Sequence, residues 1–77
     1  MSQNLLNEKQ LAALTKRIRK EAGVSRAQAA RDMDVSQTSV FHAEESPEQG
    51  LVKLRSRMIQ KYSEFKVVGP VFHLAKK

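Results

Sequence analysis

Residues 24–45 read VSRAQAARDMDVSQTSVFHAEE, and the fold is decided by how this stretch divides. Ser25 stands three residues before Gln28, and Ser36 immediately precedes Gln37, so each serine is placed to accept a first-turn backbone N–H and start a helix. The spacing predicts one short helix over Arg26–Met33 and a second over Gln37–Glu45, with only Met33 to Val35 at the junction. Ala27, Ala29 and Ala30 carry almost no side-chain bulk, which lets the two helices approach closely. On the second helix Val40 and Ala43 fall on the inward face, while Gln37, Thr38, Phe41 and His42 fall on others.

Upstream, Asn7 and Gln10 have the spacing of a capping box, and Leu11, Leu14, Ile18 and Ala22 follow at helical intervals up to Gly23. Lys9, Lys16, Arg17, Arg19 and Lys20 occupy the other faces of this first helix. Downstream, Leu51, Leu54, Met58, Ile59 and Tyr62 predict a further amphipathic helix with Lys53, Arg55, Arg57 and Lys61 outside. From Glu64 the period changes. Phe65, Val67, Val71 and Phe72 read as an extended tail, broken or bulged at Gly69-Pro70. A lone strand is not stable in water, so this tail either folds back as a hairpin or pairs with the same strand of a second chain.

The whole chain, 77 residues, is expected to be one domain spanning 1–77. A core of this size seldom supplies more than about 3–5 kcal/mol, and without Cys there is no disulfide to supplement it, so dimerisation is the natural source of further buried area. No apolar run is long enough for a transmembrane span or a signal peptide, and the expected compartment is the cytoplasm. Fourteen Lys/Arg against eight Asp/Glu give a net charge of +6. A pI near 10.1 favours a polyanionic partner. Glu44, Glu45 and Glu48 form an acidic patch between two basic zones. His42 and His73 are too few and too scattered for a metal site, and no cofactor is expected. Ser39, His42 and Asp32 can be grouped on paper as a catalytic set, but so short a chain offers no pocket to hold them.

At the level of motif, residues 24–45 resemble the helix-turn-helix of the Cro/repressor (XRE) family, with the similarity extending over roughly residues 11–62. The family's approximate pattern, Thr/Ser-Gln-x-x-Leu-Ala-x-x-x-Gly-Val-Ser-x-x-x-Val/Ile-x-x-x-Glu, is matched by Ser25, Ala30, Val35, Ser36, Val40 and Glu44. Asp34 replaces the turn glycine, where positive φ is usual and Asp is better tolerated than most residues. Arg26 replaces the Gln that opens the family's first motif helix. The resemblance implies a mostly α, four- to five-helix lambda-repressor-like domain, with its helix-turn-helix at about 25–45 and a short C-terminal β-strand. It also implies that Gln37, Thr38, His42 and Phe41 read bases, that Arg26, Ser36 and Ser39 position phosphates, and that Arg19 and Glu44 form a structural salt bridge. The segment KYSEFKVVGPVFHL, residues 61–74, is similar to the C-terminal part of HigA- and HipB-like antitoxins, whose strand builds a dimer. On that likeness Phe65, Val67, Val71 and Phe72 become dimerisation residues of a strand at about 64–74.

The expected function is a non-enzymatic, sequence-specific transcriptional regulator, a repressor where its operator overlaps a promoter, binding palindromic double-stranded DNA as a homodimer. One rival is an antitoxin that also neutralises a toxin protein through Leu5, Leu6 or the tail edge. A distant rival is a small basic endoribonuclease using His42 or His73. A helix lying on a membrane is weaker still, because the apolar stripes are short and explained as core.

Overall fold

Asn7 starts the first helix by a reciprocal cap: its Oδ1 accepts the Gln10 N–H at 2.7 Å, and Gln10 Oε1 accepts the Asn7 N–H at 3.0 Å. A computed structural model describes residues 6–68 and 72–77, in which α1 spans Glu8–Glu21, α2 Arg26–Met33, α3 Gln37–Glu45 and α4 Val52–Tyr62, followed by strands β1, Phe65–Val68, and β2, His73–Lys76. Helix α1 buries Leu11, Ala12, Thr15, Ile18 and Arg19. Thr15 is accommodated because its hydroxyl donates to the Leu11 carbonyl at 2.8 Å. Ala22 does not extend the apolar stripe: it is the exposed C-cap, and the chain leaves the helix through Gly23 at φ +74°.

Ser25 caps α2 by accepting the Gln28 N–H at 3.1 Å. The reciprocal half of that box is missing, because the Gln28 side-chain amide donates forward to Asp32 Oδ1 at 2.7 Å. Helix α2 closes on Asp34, which takes the left-handed conformation at φ 59° and ψ 48°, while the Val35 N–H reaches back to the Ala30 carbonyl at 3.0 Å. This six-to-one bond satisfies a carbonyl that the helix end leaves free and swings the chain sharply into α3. Ser36 Oγ then accepts the Ser39 N–H at 3.1 Å, a cap of the kind worth about 1 kcal/mol.

The packing falls into two clusters. Ala29, Ala30 and Met33 of α2 meet Val40 and Ala43 of α3 over Leu54 and Met58 of α4. Leu11, Ile18 and Ile59 form a second cluster between α1 and α4, onto which Phe65, Val67, Phe72 and Leu74 pack. This second cluster decides the alternatives left open for the tail. β1 pairs antiparallel with β2 in the same chain, in the register Phe65↔Lys76, Lys66↔Ala75, Val67↔Leu74 and Val68↔His73. Two strands therefore stand where one was expected, and Leu6 adds a bridge to Phe72 through an N–H to carbonyl bond of 2.7 Å. The reason is apolar area: pairing within the chain turns Phe65, Val67 and Phe72 onto Leu11, Ile18 and Ile59 and leaves them half-buried there. Gly69, Pro70 and Val71, with Leu5, lie outside the described residues.

Arg55 corrects the sequence reading most clearly. Placed outside by its charge, it is fully buried. Its Nε donates to the Ala43 carbonyl at 2.8 Å and its Nη2 to the Ser46 carbonyl at 2.9 Å, with Glu8 Oε1 3.4 Å from Nη1. The last carbonyls of a helix lack intrahelical partners, and the five N–H donors of a guanidinium fork can serve two of them at once. Arg57 does the same for α2, donating from Nη2 to the Met33 carbonyl at 2.9 Å. Two arginines of α4 thus hold the C-terminal ends of both short helices.

Candidate functional site

The outward side of α3 carries the residues that the sequence singled out. Gln37 and Thr38, in its first turn, are exposed. Phe41, one turn on, is 43% exposed, the one large hydrophobic side chain left so open among the described residues. The Arg26 guanidinium carbon sits 5.0 Å from the centre of its ring, a cation–π contact that fixes one ring face and leaves the rest to solvent. Arg26, Gln37, Thr38 and Phe41 together line a shallow depression between the start of α2 and α3.

His42 is set apart from this group. It is half-buried, its Nδ1 lies 2.9 Å from Ser46 Oγ, and it meets Phe41 edge-on at a centroid distance of 5.5 Å. Ser36 and Ser39 serve the helix start: besides the cap itself, their hydroxyls lie 3.0 Å apart. The Gln37 and Thr38 N–H groups precede the first intrahelical bond, so the positive end of α3 opens beside their own side chains.

Behind this face runs a chain of alternating charges. Lys16 Nζ lies 2.6 Å from Glu45 Oε2, Arg26 bridges Glu45 at 2.9 Å and Glu44 at 3.0 Å, and Arg19 Nε meets Glu44 Oε2 at 2.6 Å. Glu44, whose side chain has no exposed surface, accepts three N–H bonds in all, the third from Arg19 Nη2 at 3.1 Å. Arg19 also donates to the Val24 carbonyl at 2.7 Å. The structure thus brings Arg19 and Glu44 together as a buried bidentate pair tying α1 to α3. Of the acidic patch, Glu44 and Glu45 are neutralised by three cations. The Lys16 ammonium, as a hydrogen-bond donor, is the main cause holding the Glu45 carboxyl below its ordinary value. Arg26 is consequently engaged within the chain by two carboxylates and a ring.

Other groupings do not form. Ser39, His42 and Asp32 are dispersed: His42 bonds Ser46, while Asp32 accepts from the Tyr62 hydroxyl at 2.5 Å and from Gln28. Among the described residues no cluster of three or more His, Asp or Glu is placed to hold a metal, and no helix is long and apolar enough to cross a membrane.

Sequence reasoning missed Arg55, Arg57 and the Tyr62–Asp32 bond. For Arg55 a signal was present: it lies three residues before Met58 and four before Ile59, on the buried stripe itself. Arg57 and Tyr62 reach α2 across the fold, and no spacing announces that. Compared with protein-family models, with curated proteins and with solved structures, the chain finds no match, so a functional reading of the α3 face rests on its own geometry and charge.

Proposed function

We propose that the chain is a sequence-specific DNA-binding regulator of the Cro/repressor (XRE) type, with α2 and α3 as its helix-turn-helix and α3 as the helix that enters the major groove. The observation that carries this reading is the presentation of α3. Its inner side is anchored by Val40, Ala43 and Glu44, its two ends are secured by Ser36 and Arg55, and its first turn offers Gln37 and Thr38 to solvent beside Phe41. With its side chains a helix is about 10–12 Å across, which suits a groove about 12 Å wide.

Gln37 can pair bidentately with adenine, and Thr38 and Phe41 can meet a thymine methyl, each good base contact discriminating by about 1–3 kcal/mol. Neutralising Glu44 and Glu45 is what such a face requires, since two uncompensated carboxylates beside a phosphate backbone would repel it. A homodimer would place two copies of α3 in successive major grooves about 34 Å apart. With Phe65, Val67 and Phe72 turned inward, the strand alternation leaves Lys66, Val68, His73 and Ala75 on the outer face of the hairpin as the surface for a second copy. Repression follows where the operator overlaps a promoter.

Amide NMR spectra recorded while duplex DNA is titrated into the protein test this reading. Shifts concentrated on Ser36 to Phe41 are expected. Shifts confined to α1 and the hairpin, with α3 silent, would overturn it.

A further inference from the structure

The net charge of this protein is not located where the α3 face is. Lys16, Arg19 and Arg26 are all committed to Glu44 and Glu45. Arg17, Arg55 and Lys76 each have a carboxylate within 4 Å as well. Helix α4, by contrast, contains no acidic residue, and its Lys53, Arg57 and Lys61 recur every four positions along one exposed stripe. No ion pair engages any of the three among the described residues.

The stripe ends in a hollow. Arg57, Lys61 and Lys77 line it with Met33 and Gln60, and no acidic side chain contributes to the lining. Two of its walls are held in place: Arg57 donates to the Met33 carbonyl at 2.9 Å, and Lys77 Nζ donates to the Gln60 carbonyl. Asp32 acts on Lys61 only at a distance and is already occupied by Tyr62 and Gln28. The hollow also stands beside the turn into α3. Met33 ends α2 and Ser36 caps α3, so at most about 10 Å of chain separates them.

We infer that this hollow seats a phosphate of the DNA backbone flanking the groove that α3 occupies, with Arg57, Lys61 and Lys77 as its ligands and Lys53 extending the basic track along α4. The inference rests on the α3 reading and supplies what that face lacks, since its own cations are spent within the chain. A phosphate seated here fixes the register of α3 and carries no sequence preference.

The test measures affinity for duplex DNA against salt concentration for three forms of the full chain. Lys61→Gln/Lys77→Gln removes two ligands at exposed positions and leaves Arg57 on its carbonyl. Lys9→Gln/Lys66→Gln removes two cations that have no ion pair among the described residues and do not line the hollow. Losing one phosphate contact makes the slope of log affinity against log salt shallower by about 0.9 per chain. A fourfold rise in salt then costs the hollow variant about 3.5-fold less affinity than the unaltered chain, with an unchanged ranking of DNA sequences. The control keeps the original slope. A hollow variant with the original slope, or a control that changes as much, overturns the phosphate seat while leaving the α3 reading intact. An unaltered chain that shows no salt-dependent binding to duplex DNA overturns the α3 reading itself.

Discussion

Replacing Arg55 by Met probes the contact on which presentation of α3 depends. The guanidinium has no exposed surface and makes two charge-assisted bonds, to the Ala43 and Ser46 carbonyls at 2.8 and 2.9 Å. Bonds of that kind contribute about 1.5–3 kcal/mol each, and their loss leaves two carbonyls unpartnered at a buried helix end. Two effects oppose this. Met refills most of the arginine stem, so little cavity forms. It also removes the cost of keeping an ion out of water, a cost visible in the desolvation that lowers the Arg55 pKa against the pull of Glu8 and Glu48. The carbonyl loss wins, because the carbonyls stay behind while the half-exposed Glu8 can return to water. We expect a net destabilisation of about 2–4 kcal/mol, against a total of roughly 4–12 kcal/mol for 77 residues. Thermal unfolding should fall by roughly 10–30 °C. Urea unfolding followed by circular dichroism measures the change directly, with the slope against urea unchanged. Arg55→Lys, which keeps the charge without the planar fork, should fall between the two. A loss below about 1 kcal/mol for Arg55→Met would refute the role given to these bonds.

Asp34→Gly should stabilise the fold by about 0.5–1 kcal/mol, read from the same urea titration, because Asp34 holds φ at 59° where glycine has no steric penalty. Tyr62→Phe should flatten the acid limb of stability. The Tyr62 hydroxyl is the main cause holding the Asp32 carboxyl below its ordinary value, with Gln28 second, so the stabilisation is complete above about pH 4 and is lost as the pH falls through the folded pKa. Urea midpoints from pH 2 to 7 should therefore converge for the two proteins at the acid end and separate above it.

The helices were legible because their signals are local. Asn7, Ser25 and Ser36 each stop the chain and satisfy an N–H within three residues, and Leu11, Ile18, Val40 and Met58 then mark the buried sides by interval alone. The hairpin was not decidable in the same way. Its partner strand depends on Leu11, Ile18 and Ile59 lying under Phe65 and Phe72, and Leu11 and Ile18 are distant from both in sequence. Charge misled for Arg55, whose position on the apolar stripe carried the better information, and for Glu45, whose partners come from α1 and α2. On the α3 face, interval arithmetic put Gln37, Thr38 and Phe41 outward, where they lie. It did not weigh that Ser46, four residues beyond His42, would take the ring nitrogen.

If α3 reads DNA sequence, selecting bound fragments from a random duplex library, near physiological salt and with the solution mass recorded, will reveal it. A two-fold symmetric motif with half-sites about one helical turn apart, bound by two chains, is expected, and Gln37→Ala should relax it at one position of each half-site. No enriched motif, or one that Gln37→Ala leaves unchanged, would contradict it.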